Sequence, residues 1–106
     1  MDYPVRREQD AWVVSLTGEV DLHHSPRARE VLLEAVGRGR KVLVDLSGVE
    51  YLDSSGVASL VEAFQLAKRN DVPFALVAVQ DAALRVLQLA RLDRVFVLHD
   101  SVADGL

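Results

Sequence analysis

Residues 42–57, Val42-Leu43-Val44-Asp45-Leu46-Ser47-Gly48-Val49-Glu50-Tyr51-Leu52-Asp53-Ser54-Ser55-Gly56-Val57, run from a hydrophobic strand through a polar turn into a helix. The apolar run Val42-Leu43-Val44 reads as a buried strand. Val57, Leu60, Val61, Phe64 and Ala67 then recur at i, i+3, i+4, i+7 and i+10, one face of a helix. Asp53-Ser54-Ser55-Gly56 therefore falls at a helix N-terminus. Unpaired backbone N–H groups and the positive end of the macrodipole favour an anion there, including a phosphoryl group attached later. Asp and Ser are also ordinary N-caps, so the tetrapeptide taken alone says only that a helix begins.

Outward from this unit the pattern is strands first, then alternation of strand and helix. Tyr3 to Arg7 and Trp12 to Leu16 read as two strands joined by a short polar turn at Gln9-Asp10. Ser25-Pro26 is expected to start a helix, with Ser25 as N-cap and Pro26 at the first helical position. Its apolar face is Ala28, Val31, Leu32 and Ala35, and Gly37 or Gly39 ends it. Lys41 to Leu46 is a third strand and Ser55 to Lys68 the second helix, broken by Asn70-Asp71-Val72-Pro73. Phe74 to Val79 is continuously apolar, the mark of a strand buried on both faces. Asp81 is expected to cap a third helix carrying Ala83, Leu84, Leu87 and Ala90, and Val95 to Leu98 makes a last short strand. Such alternation predicts an α/β fold with a mostly parallel sheet.

Composition sets the bounds. A chain of 106 residues, half of them hydrophobic and 26% charged, is expected to form one domain over residues 1–106 with a single core. With no cysteine in the sequence, a disulfide framework, thiol catalysis and a cysteine zinc site are excluded. Charges stand at the N-terminus where a secretory signal needs an apolar stretch, and no segment is long and apolar enough to span a bilayer. A cytoplasmic protein without direct membrane insertion is therefore expected. The net charge of −4 and the scattered basic residues disfavour nucleic acid as a partner.

A second segment supports a functional reading of the hydroxyls: Leu16-Thr17-Gly18-Glu19-Val20-Asp21-Leu22-His23-His24-Ser25-Pro26, which closes a strand and leads into a helix. Leu-Thr-Gly-Glu-Val-Asp, then a strand ending Asp-Leu-Ser-Gly-Val, then Asp-Ser-Ser-Gly about thirty residues after the first Asp, resembles the STAS domain of bacterial anti-sigma factor antagonists over nearly the whole chain. The resemblance implies a mixed, mostly parallel sheet of four to five strands with helices packed mainly on one face. It implies a final helix that is short or absent here.

The same resemblance implies a protein-binding switch. The hydroxyl residue directly after the Asp, here Ser54, is the phosphoacceptor of a partner-switching serine kinase with a histidine-kinase-like ATPase fold, which is itself the anti-sigma factor. Unphosphorylated, the domain sequesters that kinase and the sigma factor is released; a phosphatase is a further partner. The expected partner-binding residues are Asp21, His23, His24, Asp53, Ser54, Ser55, Gly56 and Ala58. Two features depart from the antagonist pattern: Val57-Ala58 stand where Leu-Gly usually follows, and the last helix is curtailed. They keep open an alternative, a STAS subunit of an ABC-type phospholipid transporter that need not be phosphorylated.

Other chemistries find little support. His23 and His24 are adjacent and lack a third ligand at recognisable spacing, so no metal is expected. A Ser-His-Asp arrangement from Ser54 or Ser55, His23 or His24, and Asp21 has the residue types but no G-x-S-x-G elbow. No glycine-rich phosphate loop is present, and no cofactor and no enzymatic activity are expected.

Overall fold

The computed structural model describes residues 3–106. In chain order the elements are β1 (Val5–Glu8), β2 (Ala11–Val20), α1 (Ser25–Val36), β3 (Lys41–Leu52), α2 (Ser54–Arg69), β4 (Phe74–Val77), α3 (Asp81–Leu89), a 3-10 turn (Leu92–Arg94), β5 (Val97–His99) and α4 (Val102–Gly105). The five strands form one sheet in sequential order. β1 and β2 pair antiparallel, with Val5 opposite Val14, and every later pairing is parallel: Val13 with Leu43, Val44 with Leu76, Leu76 with Leu98.

Alternation along the strands divides the core in two. Val14, Leu16, Val42, Val44, Leu46 and Leu76 point to one face, where they pack with Ala28, Leu32, Ala35 of α1, Leu60 and Ala63 of α2, and Ala83 and Leu87 of α3. Val13, Leu43, Ala75 and Val77 point to the other, which α4 covers in part through Val102. Helices thus lie mainly on one face. Leu32, Leu46, Leu60 and Leu76 are fully buried, and each such side chain stabilises the fold by about 1.5–3 kcal/mol. Phe64 meets Phe74 and Phe96 edge-on, with ring centroids 6.2 and 5.3 Å away, and closes the bottom of this core.

Several local expectations need correction. Ser25 is the first helical residue of α1 and is buried; the N-cap position is His24, without a side-chain cap bond. The loop before it is held instead by Asp21. Gln80, not Asp81, is the N-cap of α3, and it too makes no side-chain cap bond. β2 and β3 run on past Leu16 and Leu46 to Val20 and Leu52, through residues that read as turns, because register shifts at Ser15/Thr17 and Gly18/Glu19 let the ladder absorb the irregularity. β4 ends at Val77, since Ala78 turns into the left-handed region at φ 54°.

Candidate functional site

β2 and β3 are neighbours and parallel, so their C-terminal ends emerge side by side, Val20 beside Leu52. The loop after β2 (Asp21 to His24) and the start of α2 (Asp53 to Gly56) are therefore brought together by the sheet. Asp53 fastens both. Its Oδ1 accepts the backbone N–H of Ser55 (2.9 Å) and of Gly56 (3.2 Å) and the Ser55 hydroxyl (2.5 Å), while Oδ2 accepts the backbone N–H of Leu22 across the gap (3.2 Å). Asp53 is thus the N-cap of α2, in extended backbone conformation, as an N-cap requires.

Asp21 does the same for its own loop. Its Oδ1 accepts the backbone N–H of His23 (3.1 Å) and His24 (3.0 Å) and bonds Nδ1 of the His24 ring at 2.9 Å. Both carboxyls are held below the ordinary aspartate range. For Asp53 the Ser55 hydroxyl contributes most, opposed by desolvation and helped by the Gly56, Ser55 and Leu22 N–H groups. For Asp21 desolvation pushes the other way, but the bonds and charge of His24 and the His23 N–H outweigh it. Both are anionic at neutral pH.

The three hydroxyls at the head of α2 have different fates. Ser55 is half-buried and tied to Asp53. Ser59 is buried, and its Oγ donates to the carbonyls of Ser25 and Ser55, joining α2 to α1. Ser54 is exposed, and its hydroxyl makes no hydrogen bond among the described residues. Ala58, one turn on, is exposed beside it, whereas Val57 is buried in the core.

Gly56 lies inside the turn, not on its outer surface. A Cβ there would fall 2.4 Å from the Val20 carbonyl oxygen and 2.6 Å from Leu52 Cδ1, so its lack of a side chain lets α2 start against the ends of β2 and β3. Gly56 is buried and shapes the site from beneath. His24 is half-buried against Asp21, and His23, exposed, packs edge-on to it at 4.9 Å between ring centroids.

Two residues escaped the sequence reading. Leu22 is 77% exposed and Tyr51 51% exposed, and with Asp21, His23 and Asp53 they line a shallow open depression next to Ser54. Solvent-exposed apolar groups beside charged ones mark a surface suited to a protein partner. The available signal was their place at the strand ends: Leu22 lies two residues past Val20, the last residue of β2, and Tyr51 precedes buried Leu52, so that alternation along β3 turns it outward.

Catalytic and metal readings are poorly served by this geometry. The Asp21–His24 half of a triad exists, yet Ser55 Oγ donates to Asp53 and no serine–histidine hydrogen bond forms among the described residues. No group of three or more His, Asp or Glu able to hold a metal is found among them. Nor is any described helix long and apolar enough to cross a membrane.

Fold and site together define an α/β domain that presents one free serine at a helix N-terminus, on a surface of carboxylates and exposed apolar groups. The family model described as the STAS domain matches residues 2–105, and the chain belongs to that family. It is 34% identical over 95 residues to the anti-sigma-F factor antagonist RsfB of Mycobacterium tuberculosis, covering 89% of this chain and 77% of that one. It is 25% identical over 88 residues to the anti-sigma-B factor antagonist of Bacillus subtilis, covering 83% and 81%. The crystal structure of an anti-sigma factor antagonist from Mycobacterium paratuberculosis matches with a TM-score of 0.87 at 27% identity, over 98% of this chain and 89% of that one.

Proposed function

We propose that this protein is an anti-sigma factor antagonist, a binding module switched by phosphorylation of Ser54. The observation that carries the reading is that Ser54 alone of the three hydroxyls at the head of α2 is exposed and unengaged, while Asp53 caps the helix through its neighbours. The names of the relatives favour the same role. The partner is a serine kinase of histidine-kinase-like ATPase fold that doubles as the anti-sigma factor, and a phosphatase resets the switch.

The electrostatics give the mechanism. Unmodified, Ser54 offers a small neutral hydroxyl beside Leu22, Tyr51 and Ala58, a surface that a partner buries at little cost. A phosphoserine brings about −1.5 to −2 charges to a rim already carrying the Asp21 and Asp53 carboxylates. The N–H groups of Ser55 and Gly56 are already occupied by Asp53, so the helix start neutralises the new charge only through its dipole. Exposed to water the dianion is tolerated; buried against a partner it is unpaired, and the complex dissociates.

The test is to incubate the protein with ATP and its cognate ATPase partner and to map the modification by mass spectrometry. Phosphate on Ser54 is expected. Phosphate mainly on Ser55 or Ser59 would overturn the assignment, and none with an active partner would favour a transporter-associated role.

A further inference from the structure

The two edges of the sheet differ in kind. β1 carries Arg6, Arg7 and Glu8, with Arg6 paired to Glu8 at 3.2 Å, the charged side chains that ordinarily guard an edge strand against further pairing. β5 has no such guard. Val97 on the strand is 52% exposed, and Val95 just before it 48%. Leu89, at the end of the preceding helix, is 81% exposed.

The backbone of β5 also faces outward with bonds to offer. The His99 carbonyl points inward and accepts the Ala78 N–H at 3.0 Å. Groups alternate along a parallel strand, so the N–H and C=O of the preceding residue, Leu98, point to the open edge. Two copies related by a two-fold axis at Leu98 would exchange both bonds, as the hydrogen-bonded pair of an antiparallel ladder does. The same axis sets Val97 of each copy opposite His99 of the other.

Charge selects this arrangement over other occupants. Arg91 and Arg94 precede the strand with one acid, Asp93, between them, and Asp100 follows it; neither Arg94 nor Asp100 makes an ion pair among the described residues. Antiparallel pairing brings each copy's basic flank to the other's acidic flank, whereas parallel pairing would oppose like charges. The geometry points to β5 as a self-complementary edge through which a second copy of this chain joins, continuing the sheet into the partner. The joint lies two strands from β3 and leaves the Ser54 surface free.

So short a strand makes a weak, concentration-dependent dimer. Sedimentation equilibrium of the intact protein should show the mass rising from one chain to two as concentration increases through the micromolar and millimolar ranges. Val97→Lys should hold it at one chain with an unchanged thermal melt. Arg94→Glu should weaken the dimer about tenfold, and adding Asp100→Arg to it should restore association, an outcome that a folding defect cannot mimic. A wild-type protein that stays at one chain throughout overturns the proposal, as does a dimer indifferent to Val97→Lys and to the charge exchange.

Discussion

The carboxylate of Asp53 accepts the hydroxyl of Ser55, at 2.5 Å, and not that of its immediate neighbour Ser54. Capping and presentation are thereby divided between adjacent serines. Removing the Ser54 hydroxyl should cost the fold almost nothing, with Ser54→Ala within about 0.5 kcal/mol of wild type in a denaturant titration. Ser55→Ala and Asp53→Ala should both lower the midpoint, Asp53→Ala more, because it frees the N–H groups of Ser55, Gly56 and Leu22 at once.

Ser54→Asp should keep stability within about 1 kcal/mol of wild type, since the position is exposed and an acid in the first turn suits the dipole. Partner binding, read by calorimetry, should nevertheless be lost or greatly weakened. Unchanged affinity would remove the electrostatic mechanism.

Neighbouring residues of α2 should respond oppositely. Ala58→Arg places a charged chain beside Ser54 on the exposed face and should abolish partner binding with little change in the melt. Val57→Ala removes buried methyl groups and should cost about 1–3 kcal/mol while affecting binding less.

Gly56→Ala should destabilise by about 1–3 kcal/mol, because the added Cβ meets the Val20 carbonyl at 2.4 Å and a strand backbone cannot step aside. Gly48→Ala should cost less: its nearest neighbour is the Thr17 methyl group at 2.8 Å, the end of a side chain. Equal losses in urea titrations would contradict the close approach described for the head of α2.

Acid should loosen the site. The folded-state pKa values of Asp53, Asp21 and Glu62 are lowered, the last by the bidentate Arg29 contact at 2.6 and 2.8 Å, against desolvation. What these carboxylates contribute is therefore complete above their unfolded values near 4 and is lost as pH falls through the lower, folded ones. Thermal melts should be flat from neutral pH down to about 5 and decline below about 4. In Asp53→Asn the acid decline should be shallower.

The alternation of strand and helix was legible because Val42-Leu43-Val44 and the spacing of Val57, Leu60 and Ala67 leave few alternatives, and the head of α2 announced itself through Asp53. The ends of the long strands were not. Thr17-Gly18-Glu19 and Ser47-Gly48-Val49 have the composition of turns, and only their pairing with each other, bulges included, keeps them in the sheet. Leu22 and Tyr51 look like core residues until it is known that β2 has ended before Leu22 and that Tyr51, still on β3, is exposed next to buried Leu52. Which of two adjacent serines is free depends on one hydrogen bond made in three dimensions, and Ser25 lost its expected cap role because Asp21 already holds the loop.

The most direct measurement is the dissociation constant of the partner ATPase for the purified protein before and after enzymatic phosphorylation, by calorimetry under one set of conditions. Burying an unpaired dianion should weaken binding at least about a hundredfold, or roughly 2.7 kcal/mol. Equal affinity of the two forms, with Ser54 verified as the modified residue, would contradict the switch.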